Sequence, residues 1–401
     1  MDKNIVDLIK SAMDEKEVVE IIRRLVEIPS HPGIENQESV VAEYIKTLFD
    51  KEAIPAQVRA VADGRSNIVA TLKGAGGRKS LLLTGHTDTV PPYDMQDPFT
   101  LKEVSGKFYG RGAVDMKGPL ACMIGAMIAI KRAGIELQGD LIFAGVIDEE
   151  EGSRGTIALL EEGLKASGAI VGEPTDMDIC IAHRGLEWLE FHFTGKTVHG
   201  GKQEEGINAI VKASNFIQRL EEKLMPKIRS RVHPIIGPSS MNYGTISGGT
   251  QPSTVAGSAL LKIDRRWIPQ ESYQEVLGEL QEVIDEMARQ DSQFKCQMKV
   301  MEESVMHGGY VHQAMETSAQ DPLVTTTKRA IVKAWGKEPQ LTSFSAWTDG
   351  GLLSSYAKIP TIVFGPGDLE SAHSSEEFIE RAQIYLALLV YSLTAIEFCN
   401  E

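Results

Sequence analysis

Four short apolar runs in this chain each end on a side chain that can bind a cation or move a proton. Residues 81–84 run into Gly85-His86-Thr87-Asp88, and 141–147 run into Asp148-Glu149-Glu150-Glu151. Residues 169–171 run into Gly172-Glu173-Pro174, and 361–364 run into Gly365-Pro366-Gly367, with His373 soon after. Continuous short runs of this kind read as strands buried on both faces. Helical patterns lie between and around them, at 14–28, 38–49, 119–131, 156–165, 322–335 and 378–398. Asp321 is placed to cap the fifth, with Pro322 in its first turn. Buried strands alternating with helices predict an α/β layer domain, its sheet covered on both faces. In open sheets of that kind ligands bind outside the carboxyl ends of the strands, where these polar residues fall.

The middle of the chain has another rhythm. Residues 188–194 alternate like a half-exposed strand, 207–224 read as a helix, and 241–247 and 256–264 as strands. Residues 272–289 read as a helix opened by a Ser272/Glu275 capping box, and 295–301 as a last strand. The order strand, helix, two strands, helix, strand predicts a split βαβ unit. At 401 residues two domains are the natural expectation. The boundaries expected are a discontinuous metal-binding domain at 1–185 and 316–401, with an insert at 186–315.

The chain carries a formal charge of −15. It has no basic surplus to neutralise phosphates, which argues against nucleic acid as a partner and suits a site that collects cations. Its four cysteines are scattered without CxxC spacing and read as reduced core thiols. Met1-Asp2-Lys3-Asn4 lacks the apolar core of a secretory signal, and no run reaches membrane-spanning length. A cytoplasmic location without a membrane partner is expected.

The spacing of the polar residues carries the chemistry. His86 and Asp88 are two apart, so extended backbone would point both side chains to one side, and a carboxylate beside a metal-bound imidazole orients the ring. On its own, His-x-Asp is a common surface pattern. Asp148–Glu151 places like charges together, which a solvated loop tolerates and which cations also stabilise. Asp115 lies in Gly110-Arg111-Gly112-Ala113-Val114-Asp115-Met116-Lys117-Gly118, just before a helix. Two histidines with several carboxylates and no cysteine suit zinc, and also cobalt or manganese.

Taken in order, Gly85-His86-Thr87-Asp88-Thr89-Val90-Pro91, the 110–118 loop, Asp148–Gly152, Gly172-Glu173-Pro174 and Ala372-His373-Ser374 resemble the M20 family of metallopeptidases. That group includes acetylornithine deacetylase, succinyl-diaminopimelate desuccinylase, carboxypeptidase G and the aminoacylases. The resemblance implies an α/β/α zinc-peptidase-like domain and an inserted, ferredoxin-like α+β domain for lid and dimerisation roles. It implies two Zn2+ per chain, replaceable by Co2+ or Mn2+. His86 and Glu173 would hold one ion, Glu150 and His373 the other, and Asp115 both, next to a cis peptide to Met116. Asp88 would orient His86, and Glu149 would be the general base toward a metal-activated water. His199, in Gly195-Lys196-Thr197-Val198-His199-Gly200-Gly201, would donate to the oxyanion at the neighbouring subunit's site.

Arg266, in Asp264-Arg265-Arg266, would grip a substrate carboxylate. Arg184 is a further candidate for binding substrate, or for an ion pair between domains. Ser253 stands where many relatives carry a substrate-binding asparagine, and it offers a shorter side chain with one donor. Asp349 resembles the acidic residue of a loop near the site, and structural support is its expected role. The reaction implied is hydrolysis of the amide bond of an N-acyl amino acid by a homodimer. The alternatives are a di- or tripeptidase or carboxypeptidase, and a non-catalytic binding protein on the same scaffold.

Overall fold

The computed structural model describes residues 3–401. Helices α1 (Lys3–Ala12), α2 (Glu15–Glu27) and α3 (Ser39–Lys51) precede β1 (Ala56–Ala62), β2 (Arg65–Leu72) and β3 (Leu81–His86). There follow α4 (Lys117–Arg132), β4 (Leu141–Val146), α5 (Arg154–Glu161), β5 (Gly168–Val171) and β6 (Ile179–His183). The central segment holds β7 (Gly185–Thr194), α6 (Ala209–Arg219), β8 (Ser240–Gly248), β9 (Ser258–Trp267), α7 (Tyr273–Gln290) and β10 (Cys296–Val300). The chain closes with β11 (Met315–Glu316), α8 (Pro322–Trp335), β12 (Leu341–Phe344), β13 (Thr361–Val363) and α9 (Arg381–Phe398). It divides into two compact units, Met1–Ala182 with Met315–Glu401, and His183–Ala314.

The first unit is built on a nine-stranded sheet in the order β1-β2-β4-β3-β5-β13-β6-β11, with β12 paired to β6. Strands β4, β3, β5 and β13 are mutually parallel, so their carboxyl ends share one edge. All six residues of β3 are buried, as a strand covered on both faces requires. Helix α4 is buried from Lys117 to Ile130, and α9 is nearly as apolar. A helix without a polar face is stable only inside a domain. Helix α2 shows the opposite design: Asp14 caps it by accepting from the Glu17 N–H, and Val18, Ile21, Ile22, Leu25 and Val26 form its buried stripe. Each such side chain contributes about 1.5–3 kcal/mol relative to leaving it in water.

The second unit is an antiparallel sheet in the order β8-β9-β7-β10, with helices α6 and α7 between its strands in sequence. This is the split βαβ arrangement. Along β7 the buried Leu189, Phe191 and Phe193 alternate with Trp188, Glu190, His192 and Thr194, and the inward rings pack with Phe216 and Phe294. Ser272 and Glu275 form the reciprocal capping box of α7.

Three details depart from expectation. Phe378–Glu380 is not the start of the closing helix but a short strand paired with 107–109, which buries Ile379. The helix expected over 207–224 starts at Ala209 after Asn208, whose side chain accepts from Ile210 and Val211 N–H groups, and it widens over Leu220–Leu224. The strand expected at 256–264 runs instead from Ser258 to Trp267, because β7 pairs it to its far end. The four cysteines are free thiols. Among the described residues no helix is long and apolar enough to cross a membrane.

Candidate metal centre

The four parallel strands deliver their polar ends to one place. His86, Asp115 and Glu173 each offer a donor atom within 4.8 Å of the others, and so do Asp115, Glu150 and His373. Asp115 belongs to both groups through different oxygens. Its Oδ1 lies 2.9 Å from His86 Nε2, and its Oδ2 lies 3.1 Å from His373 Nε2. His373 Nε2 is also 3.2 Å from Glu150 Oε1, and His86 Nε2 is 3.7 Å from Glu173 Oε1. The Asp115–Met116 peptide is cis, and His373 sits in the left-handed region.

The protonation of His86 tests whether these residues fit a cation. Its Nδ1 donates to the Asp88 carbonyl at 3.0 Å, so the neutral ring leaves a lone pair on Nε2. That lone pair faces carboxylate oxygens of Asp115 and Glu173. Glu173 Oε1 is buried and has no hydrogen-bond partner among the described residues. Burial opposes charge on the ring, yet Glu173 and Asp115 hold the His86 pKa well above its ordinary value, so the pocket draws positive charge to Nε2, as a proton or as a metal ion. The carboxyls of Glu149, Glu150 and Glu173 are pushed above the usual range, chiefly by burial. The cluster is thus short of positive charge, and its nitrogen and oxygen donors fit two divalent ions.

Asp88 is placed differently from the side-by-side geometry expected of His-x-Asp. Strand β3 ends at His86, and beyond it the Asp88 carboxylate turns to the next loop. It accepts from the Glu149 N–H at 3.3 Å and the Glu150 N–H at 3.1 Å, and its Oδ1 remains 3.5 Å from His86 Nδ1. One residue therefore holds His86 with its backbone and the two glutamates with its side chain.

Two residues without an expected role also shape the centre. Glu377 is fully buried; its Oε1 accepts from the Val114 and Asp115 N–H groups at 3.0 and 3.2 Å, and its Oε2 takes Arg111 Nη1 at 2.5 Å. Arg111 also donates to the Ser374 carbonyl at 3.2 Å. The pair fastens the Asp115 loop to the His373 loop. In sequence, the only hint was that Glu377 follows His373 by four positions. Asp349 precedes a short helix but makes no side-chain cap; its Oδ2 accepts from Thr156 Oγ1 at 2.6 Å.

The remaining candidates belong to the second unit. His199 is exposed, and its Nδ1 accepts from the Gly201 N–H at 3.1 Å, which leaves the proton of the neutral ring on Nε2. The Gly200 N–H donates to the Ser253 carbonyl at 2.7 Å, so His199 and Ser253 share one ribbon. Arg184 and Arg266 lie at the other end of the same sheet, flanking the Trp267↔Gly185 pair. Arg184 Nη2 donates to the Ile236 and Pro238 carbonyls, and Arg266 Nε is 3.0 Å from Asp264.

Comparison with known proteins agrees with this architecture. The profile of peptidase family M20/M25/M40 matches residues 82–397. The chain is 30% identical to an N-formyl-4-amino-5-aminomethyl-2-methylpyrimidine deformylase of Halalkalibacterium halodurans, covering 97% of this chain and 95% of that one. It is 31% identical to an acetylornithine deacetylase of Myxococcus xanthus, over 83% and 84% of the two chains. Its fold is similar to that of the aminopeptidase PepT of Bacillus cereus, with a TM-score of 0.80 at 20% identity over 96% and 99% of the chains. The chain belongs to peptidase family M20/M25/M40, and it is a metal-dependent hydrolase of amide or peptide bonds.

Proposed function

We propose that the chain removes the acyl group from a small N-acylated amino acid or a closely related N-acyl amine, using two zinc ions. The observation that carries the two-ion reading is Asp115, whose two oxygens serve two separate donor groups. His86 and Glu173 would hold one ion with Asp115, and Glu150 and His373 the other. Zinc suits this donor set, and Co2+ or Mn2+ could replace it. Bound divalent ions would lower the pKa of water and polarise the scissile carbonyl. Glu149 takes the proton of the attacking water and returns it to the leaving amine. Its backbone is fixed for that task by Asp88.

The N-acyl preference is supported by the relatives near 30% identity, which are named for removal of formyl and acetyl groups. A di- or tripeptidase is the second reading, favoured by the fold similarity to PepT. Initial rates on a panel of N-formyl, N-acetyl and N-succinyl amino acids against dipeptides separate the two; turnover of dipeptides alone overturns the first. Glu149→Ala is expected to keep two metal ions per chain and lose nearly all turnover; comparable activity would refute the mechanism.

The second unit supports a homodimer. His199 Nε2–H is the oxyanion donor, and Arg266, with Arg184 beside it, grips the substrate carboxylate. Ser253, next to His199, reads the substrate. Ser258 and Arg266 bound most of β9, and eight residues of strand span about 26 Å. No small substrate reaches both ends of one such sheet, so His199 and Arg266 of one chain serve different sites. Sedimentation of the active enzyme tests this: a fully active monomer would refute it. A cytoplasmic location fits such an enzyme, and co-fractionation with a cytosolic marker checks it.

A further inference from the structure

Beneath the centre lies a side chain that no step of the reaction uses. Met116 is fully buried and follows Asp115 directly. A Cβ added to Gly85, the residue before His86, would lie 2.2 Å from Met116 Cε and 2.7 Å from its Sδ. A Cβ on Gly172, the residue before Glu173, would lie 2.5 Å from Met123 Cε and 2.8 Å from the same Met116 methyl. The two glycines are neighbours across the sheet, where the Gly172 N–H donates to the Thr84 carbonyl at 3.0 Å. Both lack a side chain where the thioether rests on them.

The sulfur also serves the backbone. Successive N–H groups of a strand point to opposite neighbours. The Thr87 N–H goes to Val146 on one side, so the His86 N–H faces the other. There the pairing of β3 with β5 has ended at Thr84↔Val171, and the His86 N–H donates to Met116 Sδ at 3.3 Å. A buried N–H without an acceptor is costly, and here the thioether supplies one.

From this we infer that Met116 is a positioning residue for the first metal subsite. This side chain backs His86 through Gly85 and the His86 N–H, adjoins Asp115 directly, and shares with Met123 the support of Glu173 through Gly172. The inference rests on the two-metal reading and adds to it the source of the subsite's rigidity.

The test compares Met116→Leu, Met116→Ala, Gly85→Ala and the double Gly85→Ala/Met116→Ala with the wild-type chain. Three quantities are read: Zn2+ affinity by chelator competition, the visible spectrum of the Co2+ form, and melting of the metal-free protein. Met116→Leu keeps the bulk and loses the acceptor. It is expected to melt close to wild type when metal-free, to bind one of its two Zn2+ ions about 10–100-fold more weakly, as loss of a supporting partner does, and to shift the cobalt bands. The new methyl of Gly85→Ala fills space that Met116→Ala vacates, so the double variant should lose less affinity than the sum of the singles. Unchanged affinity and cobalt bands in Met116→Leu, with or without a fall in melting temperature, overturn the inference, as do strictly additive losses. If the wild-type chain itself bound no divalent ion, the two-metal reading would fail instead.

Discussion

The loop that carries Glu149 and Glu150 is anchored by a buried ion network, and removing its central cation gives a calculable result. Arg65 donates from Nε to Glu38 Oε2 at 2.8 Å, from Nη2 to Glu38 Oε1, and from Nη1 to Asp148 Oδ1 at 2.7 Å. All three side chains are buried. Asp148 keeps a second partner, Arg154, whose Nε lies 2.8 Å away, whereas Glu38 bonds no other cation among the described residues. Arg65→Met therefore leaves one carboxylate buried without a counter-charge, a loss of about 3–5 kcal/mol. For a unit of this size that is a fall of roughly 6–20 °C in melting temperature.

The penalty also has a pH signature. Burial already pushes the Glu38 carboxyl above the usual range against the pull of Arg65. Without Arg65 its folded pKa lies further above the unfolded value. Stability is then greatest below the unfolded pKa and is lost as pH rises through the folded one, so the deficit is larger at pH 8 than at pH 5. Thermal unfolding of the metal-free protein by circular dichroism at both pH values measures this. The double variant Arg65→Met/Glu38→Leu removes the stranded charge and should regain much of the loss. A single variant melting within about 2 °C of wild type at pH 8 would refute the reasoning, since that is under 1 kcal/mol. So would a double variant less stable than the single.

Dialysis against a chelator should abolish activity, and Zn2+ or Co2+ should restore it; elemental analysis of the purified chain should find two divalent ions. Saturating metal at about 1,000 times its dissociation constant should stabilise the fold by about 4 kcal/mol per site, seen as a higher melting temperature. Glu377→Gln keeps shape but weakens the acceptor for Val114 and Asp115, so metal affinity should fall while the fold survives; unchanged affinity in chelator competition would count against that role. Arg266→Lys should raise KM for carboxylate-bearing substrates more than it lowers kcat, because the bidentate fork is lost. Thiol reagents at pH 8 should leave Cys122, Cys180 and Cys399 untouched in the native chain, with the half-buried Cys296 the first to react, although burial pushes its thiol up to about 12. Fast labelling of Cys122 would show the core to be open.

Much of the α/β framework was legible because buried parallel strands leave unbroken apolar runs, as at Leu81–His86 and Leu141–Val146. The same runs bring His86, the 148–151 carboxylates, Glu173 and the His373 segment to one edge, since parallel strands share a carboxyl edge, whereas Asp115 and the choice of Glu150 came from the family resemblance. What escaped has no periodic signature. The strand Ala56–Ala62 lies at the sheet's edge, with residues that are at best half-buried and no clean alternation. Phe378–Glu380 is three residues long and merges with the apolar helix behind it. The roles of Glu377 and Met116 depend on backbone atoms of distant loops, and a sequence does not display those. The turn of Asp88 toward Glu149 and Glu150 arises from a strand ending two residues earlier, finer than pattern reading resolves.

Strand β13 sits between β5 and β6, pairing Thr361 with Ala169 on one side and Val363 with Cys180 on the other. The slot it fills is made early, and its occupant is translated late, after the whole central unit. At ~5–20 residues per second, residues 172–360 take roughly 10–40 s to synthesise. For that interval a nascent chain would hold the backbone of β5 without its final neighbour, an unpaired edge of the sort that invites association with other chains. His373 emerges later still, so the full donor set exists only after the whole central unit has been made, and metallation by this route must wait for that second stretch of the first unit.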